Sequence, residues 1–497
     1  MLLRSLLVAS ALLGATIGLA QPPNKPALKF EVKIAAELVG KEAQEAQSGR
    51  VLVGIGPKAG APNFTNYHPP VLPILGADAD KFTADKTIIL DASSDMFPAD
   101  ALAKLPAGEY TVQAVFVTNR DINLPNAPGN CYSKVEKLKL DPAAGGTVAL
   151  TLDARYAEPK PKDTATHKFL SLPSKLLSDF HGRPMVFRVA VALPPNFDKE
   201  PDNKYGLIVD IGGFGTRYLF GAGMQPDARF VQILPDGAGP FGDPYQVDSA
   251  NNGPYGEALI KEVIPHVEKT YRCFGTPKSR FTTGGSTGGW VSLALQLFYP
   301  DFFNGCWSQC PDSVTFERFE LIDIYNEPNA YVNRFGFDRP GTRTIDGDTI
   351  ATVRHECQLE RVLGRGGNWH LGGRDWASWN AVYGPKGKDG LPVPLWDGKT
   401  GAINKDVLDH WKKYDLKLYM EKNWATLGPK LAGKVNVWVG DSDDYFLNAA
   451  VRRFKDSADR LKEPKFDGVI LIEARKGHSS GGWTRKEMLD AMAARMK

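Results

Sequence analysis

Two short stretches of this chain are nearly alike: GGSTGGW from Gly284 to Trp290, and GHSSGGW from Gly477 to Trp483. Each places a serine between two glycines at the second positions on either side. Such spacing lets a strand turn sharply into a helix and lifts the hydroxyl clear of the backbone, where it serves as a nucleophile. A serine hydroxyl is a weak nucleophile alone. It needs a base to take its proton and an acid to orient that base.

Along the chain, the elbow arrangement runs Ser, then Asp or Glu, then His. No histidine follows Ser479, so Ser286 is the expected nucleophile and the useful residue of the second copy is His478. The other histidines fit less well. His68, His167 and His181 precede Ser286, His266 falls on a helix pattern, and His355, His370 and His410 lie in one long intervening segment. The acid is expected in GDSDDYFLN, Gly440 to Asn448, which offers Asp441, Asp443 and Asp444. Asp444 directly precedes an apolar helical run and suits an N-cap, which makes Asp443 the first choice and Asp444 the alternative. An oxyanion developing at the substrate carbonyl needs two backbone N–H donors. Thr287 supplies one, as the residue after the nucleophile. Gly213, in the glycine-rich stretch Gly212 to Gly215, is the expected second.

These residues need elements that bring them together. Val186 to Pro194, Gly206 to Gly213 and Arg229 to Pro235 read as strands, the second a continuous apolar run suited to burial on both faces. Gly256 to Tyr271 reads as a helix with a kink at Pro265. Arg280 to Thr283 is a short strand feeding Ser286, and a helix carrying Leu293, Leu297 and Phe298 follows. Asn304 to Cys310, Asn436 to Asp441 and Gly468 to Ala474 complete the strands. The β/α alternation predicts an α/β fold with a mostly parallel sheet covered by helices. Residues 313–431 form a long insertion rich in Gly, Trp and charge, with a helix around Asp406 to Trp424; its place between two strands predicts a lid or pocket wall.

Before this region the pattern has period two. Leu28, Phe30, Val32 and Ile34 alternate with Lys29, Glu31 and Lys33, and Tyr110 to Phe116 and Val148 to Leu152 repeat the alternation. Residues 27–155 are therefore expected to be a β-sandwich-like domain, joined by a linker over 156–182 to a catalytic domain over 183–497. At 497 residues the chain is too long for one simple core. MLLRSLLVASALLGATIGLAQ has the cationic start, apolar run and small-residue end of a signal peptide over 1–20, which predicts a secreted or periplasmic protein. That compartment permits one or two bridges among five cysteines, whose pairing spacing does not disclose. A net charge of +3 without a basic run argues against nucleic acid, and no later stretch is apolar enough to span a bilayer.

DSANNGPYGEALIKEVIPHVEKTYR, FTTGGSTGGW, GDSDDYFL and GHSSGGW, in this order, resemble the family named "Putative esterase", which includes esterase D, enterochelin esterases and feruloyl or acetyl-xylan esterases. The resemblance implies an α/β-hydrolase fold and a Ser/His/Asp triad carried onto Ser286, His478 and one aspartate. A D-x-F-L reading favours Asp444, and a G-x-x-D reading favours Asp443. Ile211 stands where many relatives have histidine. The expected activity is hydrolysis of a carboxylic ester through an acyl-enzyme, on a small-molecule or glycan-linked ester such as a polysaccharide acyl group or a siderophore ester. No metal or organic cofactor is called for. The alternatives are a peptidase or acyltransferase on the same triad, or an inactive hydrolase-fold binding protein.

Overall fold

The computed structural model describes residues 27–39 and 47–497. The expected signal peptide, residues 1–20, lies outside them.

Eight strands form the sheet that carries the elbow: β1 His167–Ser174, β2 Met185–Ala192, β3 Gly206–Ile211, β4 Phe230–Pro235, β5 Arg280–Gly285, β6 Cys306–Gln309, β7 Val435–Gly440 and β8 Val469–Glu473. Their spatial order is β1-β2-β4-β3-β5-β6-β7-β8. The strands from β4 to β8 run parallel, while β1, β2 and β4 pair antiparallel. The register of β3 sets Val209 beside Ile233 of β4 and Thr282 of β5. Both faces of this strand are covered, which explains its apolar run Leu207–Val209, while Asp210 near its end is half-buried. Leu207, Val209 and Ile211 join the main core, while Ile208 packs with Phe281, Trp307 and the C-terminal residues Leu489 and Met492.

Two expectations change here. Residues 167–182, assigned to the linker, hold β1 and the helix Lys175–His181. Strand β1 is an edge strand, mostly half-buried and containing Pro173, and such a strand has little of the apolar alternation that marks one in sequence. The expected kink at Pro265 is a wider accommodation. The helix runs as an α turn over Tyr255–Ala258, a π-helical turn over Leu259–Val263 and an α-helix over Ile264–Thr270. Proline lacks the N–H for a regular i−4 bond, and the widened turn absorbs that loss without ending the helix.

The first described residues build a separate sheet of nine strands in one hydrogen-bonded network. Leu28–Ile34 pairs parallel with Gly146–Arg155, and every other pairing in the sheet is antiparallel. One core gathers Phe30 and Val32, Val51 and Val53, Val112 and Ala114, and Leu150 and Leu152. Between β6 and β7 the insertion folds into a hairpin, Pro340–Arg343 with Thr349–Thr352, and several helices. The helix Val353–Leu363 lays Leu359, Val362 and Leu363 on Leu52, Ile74, Phe97 and Val115 of the nine-stranded sheet. Arg50 of that sheet donates through Nε to Val362 O at 2.9 Å. The helical stretch expected around Asp406 to Trp424 forms two helices, Leu408–Trp411 and Leu416–Leu427, and Asp415 caps the second by accepting from Leu418 N at 3.0 Å.

All five cysteines are buried and unpaired, so the bridges that an oxidising compartment permits are not formed. Cys131 belongs to the nine-stranded sheet, Cys273 follows the helix Ile264–Thr270, Cys306 and Cys310 lie on β6 and just past its end, and Cys357 lies in a helix of the insertion.

Candidate active site

Strand β5 ends at Gly285 and helix α1, Thr287–Phe298, begins one residue after it. Ser286 between them has φ 58° and ψ −123°, a conformation that L-residues rarely adopt. The glycines around it are required by close approach. A Cβ at Gly288 would lie 2.0 Å from Ile211 O, and one at Gly284 would lie 2.4 Å from the same oxygen. Only bare backbone lets the elbow sit against the end of β3. The positive end of α1 then faces the space in front of the Ser286 hydroxyl.

His478 lies in the loop after β8, and Asp443 in the loop after β7. Imidazole Nδ1 meets Asp443 Oδ2 at 2.8 Å, with the Asp443 side chain wholly buried. The other carboxylate oxygen accepts from Tyr445 N at 2.9 Å and Leu447 N at 3.2 Å, which pins the acid in place. The insertion supports this loop: Arg343 donates through Nε to Asp443 O at 3.0 Å and through its backbone N to Asp444 O at 2.9 Å. Asp444 makes no hydrogen bond or ion pair with the imidazole among the described residues. The ring of Tyr445 stands edge-on to His478 at 4.9 Å. Burial lowers the proton affinity of His478, whereas the Asp443 carboxylate and the adjacent Cys310 sulfur raise it, and the net displacement is upward from 6.5.

The serine hydroxyl has a neighbour that the sequence did not single out. Ser286 Oγ donates to Asp312 Oδ1 at 3.3 Å. Asp312 also accepts from Thr287 Oγ1 and Trp379 Nε1, each at 3.1 Å, and from the Tyr245 hydroxyl. Burial pushes this carboxyl up from the usual aspartate range. Asp312 stands just beyond β6, one strand earlier than the loop searched for the acid. Its Pro-Asp context after a buried strand was the available signal. Trp379 comes from the insertion helix α2, Asp375–Tyr383, and could not be placed from local pattern. Trp290 and Trp307 are core residues.

Ser286, His478, Gly213, Cys310, Asp312 and Trp379 line one cleft of ≈ 520 Å³. A Cβ on Gly213 would lie 3.9 Å from Ser286 Cβ, so the turn after β3 passes directly beside the nucleophile position. Thr287 N–H opens α1 on the other side. Asp375 and Ser479 also border the cleft. The second glycine–serine copy makes a loop and no elbow: Ser480 Oγ accepts from Gly477 N at 2.9 Å, and the next helix, α3, starts only at Arg485.

The family described as "Putative esterase" matches residues 185–453, more than half of the chain. Among solved structures, a ferulic acid esterase is 14% identical, with 67% of this chain and 98% of that one covered at a TM-score of 0.37. A fluorophosphonate-binding serine hydrolase F from Staphylococcus aureus is 14% identical, with 68% and 100% covered and a TM-score of 0.40. An S-formylglutathione hydrolase from Agrobacterium tumefaciens is 12% identical, with 67% and 98% covered and a TM-score of 0.36. No curated protein matches the chain.

Proposed function

We propose a mechanism for a chain that belongs to the "Putative esterase" family of α/β-hydrolase type and is therefore a carboxylic ester hydrolase. Ser286 attacks the ester carbonyl as His478 takes its proton. Asp443 holds the imidazole in the tautomer that presents Nε2 as acceptor, and stabilises the imidazolium once formed. The N–H groups of Gly213 and Thr287 hold the oxyanion, each worth about 2.7–4 kcal/mol in comparable sites. The leaving alcohol takes the proton back from His478. Water then attacks the acyl-enzyme by the same route in reverse. Before substrate binds, the hydroxyl rests on Asp312, and a rotation about the Ser286 Cα–Cβ bond redirects it to the imidazole. Catalytic hydrogen bonds are commonly loose until substrate is bound.

The observation that carries this reading is the strained Ser286 backbone at a strand-to-helix turn, facing the same cleft as a histidine already paired with a buried aspartate. The substrate we infer is an acyl group on a polysaccharide or another glycan-linked or small-molecule ester, met after export guided by residues 1–20. The nine-stranded module acts as an accessory domain and the 313–431 insertion as the wall that closes the cleft. A rapid burst of p-nitrophenol from p-nitrophenyl acetate tests the chemistry. It is expected in the unaltered protein and in Ser479→Ala, and absent in Ser286→Ala. Activity surviving in Ser286→Ala and lost in Ser479→Ala would overturn the assignment. Comparison of methyl ferulate, acetylated xylan and p-nitrophenyl esters then identifies the acyl preference.

A further inference from the structure

A second cavity lies away from Ser286, where the nine-stranded module meets the catalytic sheet and the insertion. Its volume is ≈ 300 Å³, at the lower end of small-molecule sites. Arg50 and Arg120 reach it from the module, Arg183 from the start of the catalytic region, and Arg365 and Lys386 from the insertion. Neither aspartate nor glutamate lines it.

Two of the five cations are already compensated. Arg50 pairs with Asp78 at 3.0 Å and Asp95 at 2.5 Å, and Arg183 pairs with Asp121. Arg120, Arg365 and Lys386 have no carboxylate within ion-pair distance among the described residues. Arg365 donates to Ser48 O, and the Lys386 ammonium stands 5.0 Å from the Phe180 ring centre. Three cations converging without a counter-charge attract an anion.

A second feature restricts which anion. Asn251 also lines the cavity and is only 1% exposed. Its amide nitrogen is committed to Ala381 O and Gly384 O, both at 2.9 Å. Its Oδ1 has no hydrogen-bond partner among the described residues. A buried acceptor without a donor carries a desolvation cost that a ligand hydroxyl removes. Phe241, Pro240, Leu371 and Leu391 add apolar surface suited to the C–H face of a ring.

Cationic rim, unsatisfied acceptor and apolar wall together describe one chemistry. We propose that this interdomain cavity binds a hydroxylated ring carboxylate of sugar-acid size, such as a uronic acid, through Arg120, Arg365 and Lys386, with Asn251 receiving a hydroxyl. The site is independent of the ester reaction and requires both the module and the insertion. It gives the nine-stranded module a role as half of an anion-binding site.

Titration calorimetry on the full chain tests this with D-galacturonate, its neutral counterpart D-galactose, and inorganic sulfate. Galacturonate is expected to bind at least tenfold more tightly than either, and the double variant Arg120→Ala/Lys386→Ala is expected to lose at least tenfold of that affinity. Both substituted side chains are exposed, so hydrolysis of p-nitrophenyl acetate and the unfolding temperature should remain as in the unaltered protein. Absence of galacturonate binding, equal affinity for galactose or sulfate, or full affinity in the double variant would overturn the proposal. Polygalacturonate distinguishes the source: tighter binding per site than the monomer assigns a polysaccharide, and equal binding assigns the free acid.

Discussion

Ser286 occupies a backbone conformation of the kind that costs about 1–3 kcal/mol and persists only where the surroundings enforce it. Here the enforcement comes from β5, α1 and the carbonyl of Ile211. Removing the hydroxyl by Ser286→Ala is expected to lower kcat by more than about 10⁴-fold, leaving only what the oxyanion donors supply. Asp443→Asn should cost about 10⁴-fold, because an amide opposite Nδ1 favours the wrong tautomer. Asp444→Asn should change kcat by less than about threefold, since that side chain makes no hydrogen bond to the imidazole. Parallel kinetics on the two variants separate the aspartates that the sequence left open.

The upward displacement of His478 has a direction in pH. The base works neutral, so kcat/KM falls as pH drops through a value above the ordinary 6.5 of histidine. Cys310→Ala removes one of the contacts that hold the proton on the ring, and should move that acid limb to lower pH. An unmoved limb in a pH–rate profile would show that the sulfur does not act on the imidazole.

At the scale of elements, two glycines on the same turn system behave oppositely. Gly288→Ala places a methyl 2.0 Å from Ile211 O, backbone against backbone, with no flexible atom to yield. It should destabilise the protein by about 3 kcal/mol or more, read as a large fall in unfolding temperature. Gly213→Ala meets its nearest atoms only at 3.8 Å and 3.9 Å. It should fold with an unchanged melt while crowding the oxyanion position, and so lower kcat/KM alone. The strand positions and the sharp strand-to-helix turn at Ser286 were legible because buried parallel strands read as apolar runs and because glycine marks tight turns. Strand β1 and the neighbours of Ser286 were not. An edge strand lacks the apolar signal, and Asp312, Tyr245 and Trp379 meet only through contacts between segments far apart in sequence.

For the whole molecule, the nine-stranded module and the insertion share an apolar seam. Leu359 and Val362 are each 1% exposed and Leu363 is 8% exposed against the module. A chain beginning at residue 156 would bare all three, at a cost of roughly 1.5–3 kcal/mol per large apolar side chain. It should aggregate or melt well below the full protein, and sedimentation with thermal denaturation checks this. A truncated chain of equal stability would mean that the seam contributes nothing.

What the linear order of residues determined by itself was the α/β class, and it singled out Ser286 over Ser479 and His478 as the proposed nucleophile and base. Those follow from local signals: periodicity, glycine spacing, and a histidine after the last strand. Tertiary structure alone paired the imidazole with Asp443, set Asp312 against the serine hydroxyl and brought unpaired cations of the module and the insertion to one cavity. Such assignments depend on distances between residues that burial of apolar faces brings together, and no stretch of sequence contains them.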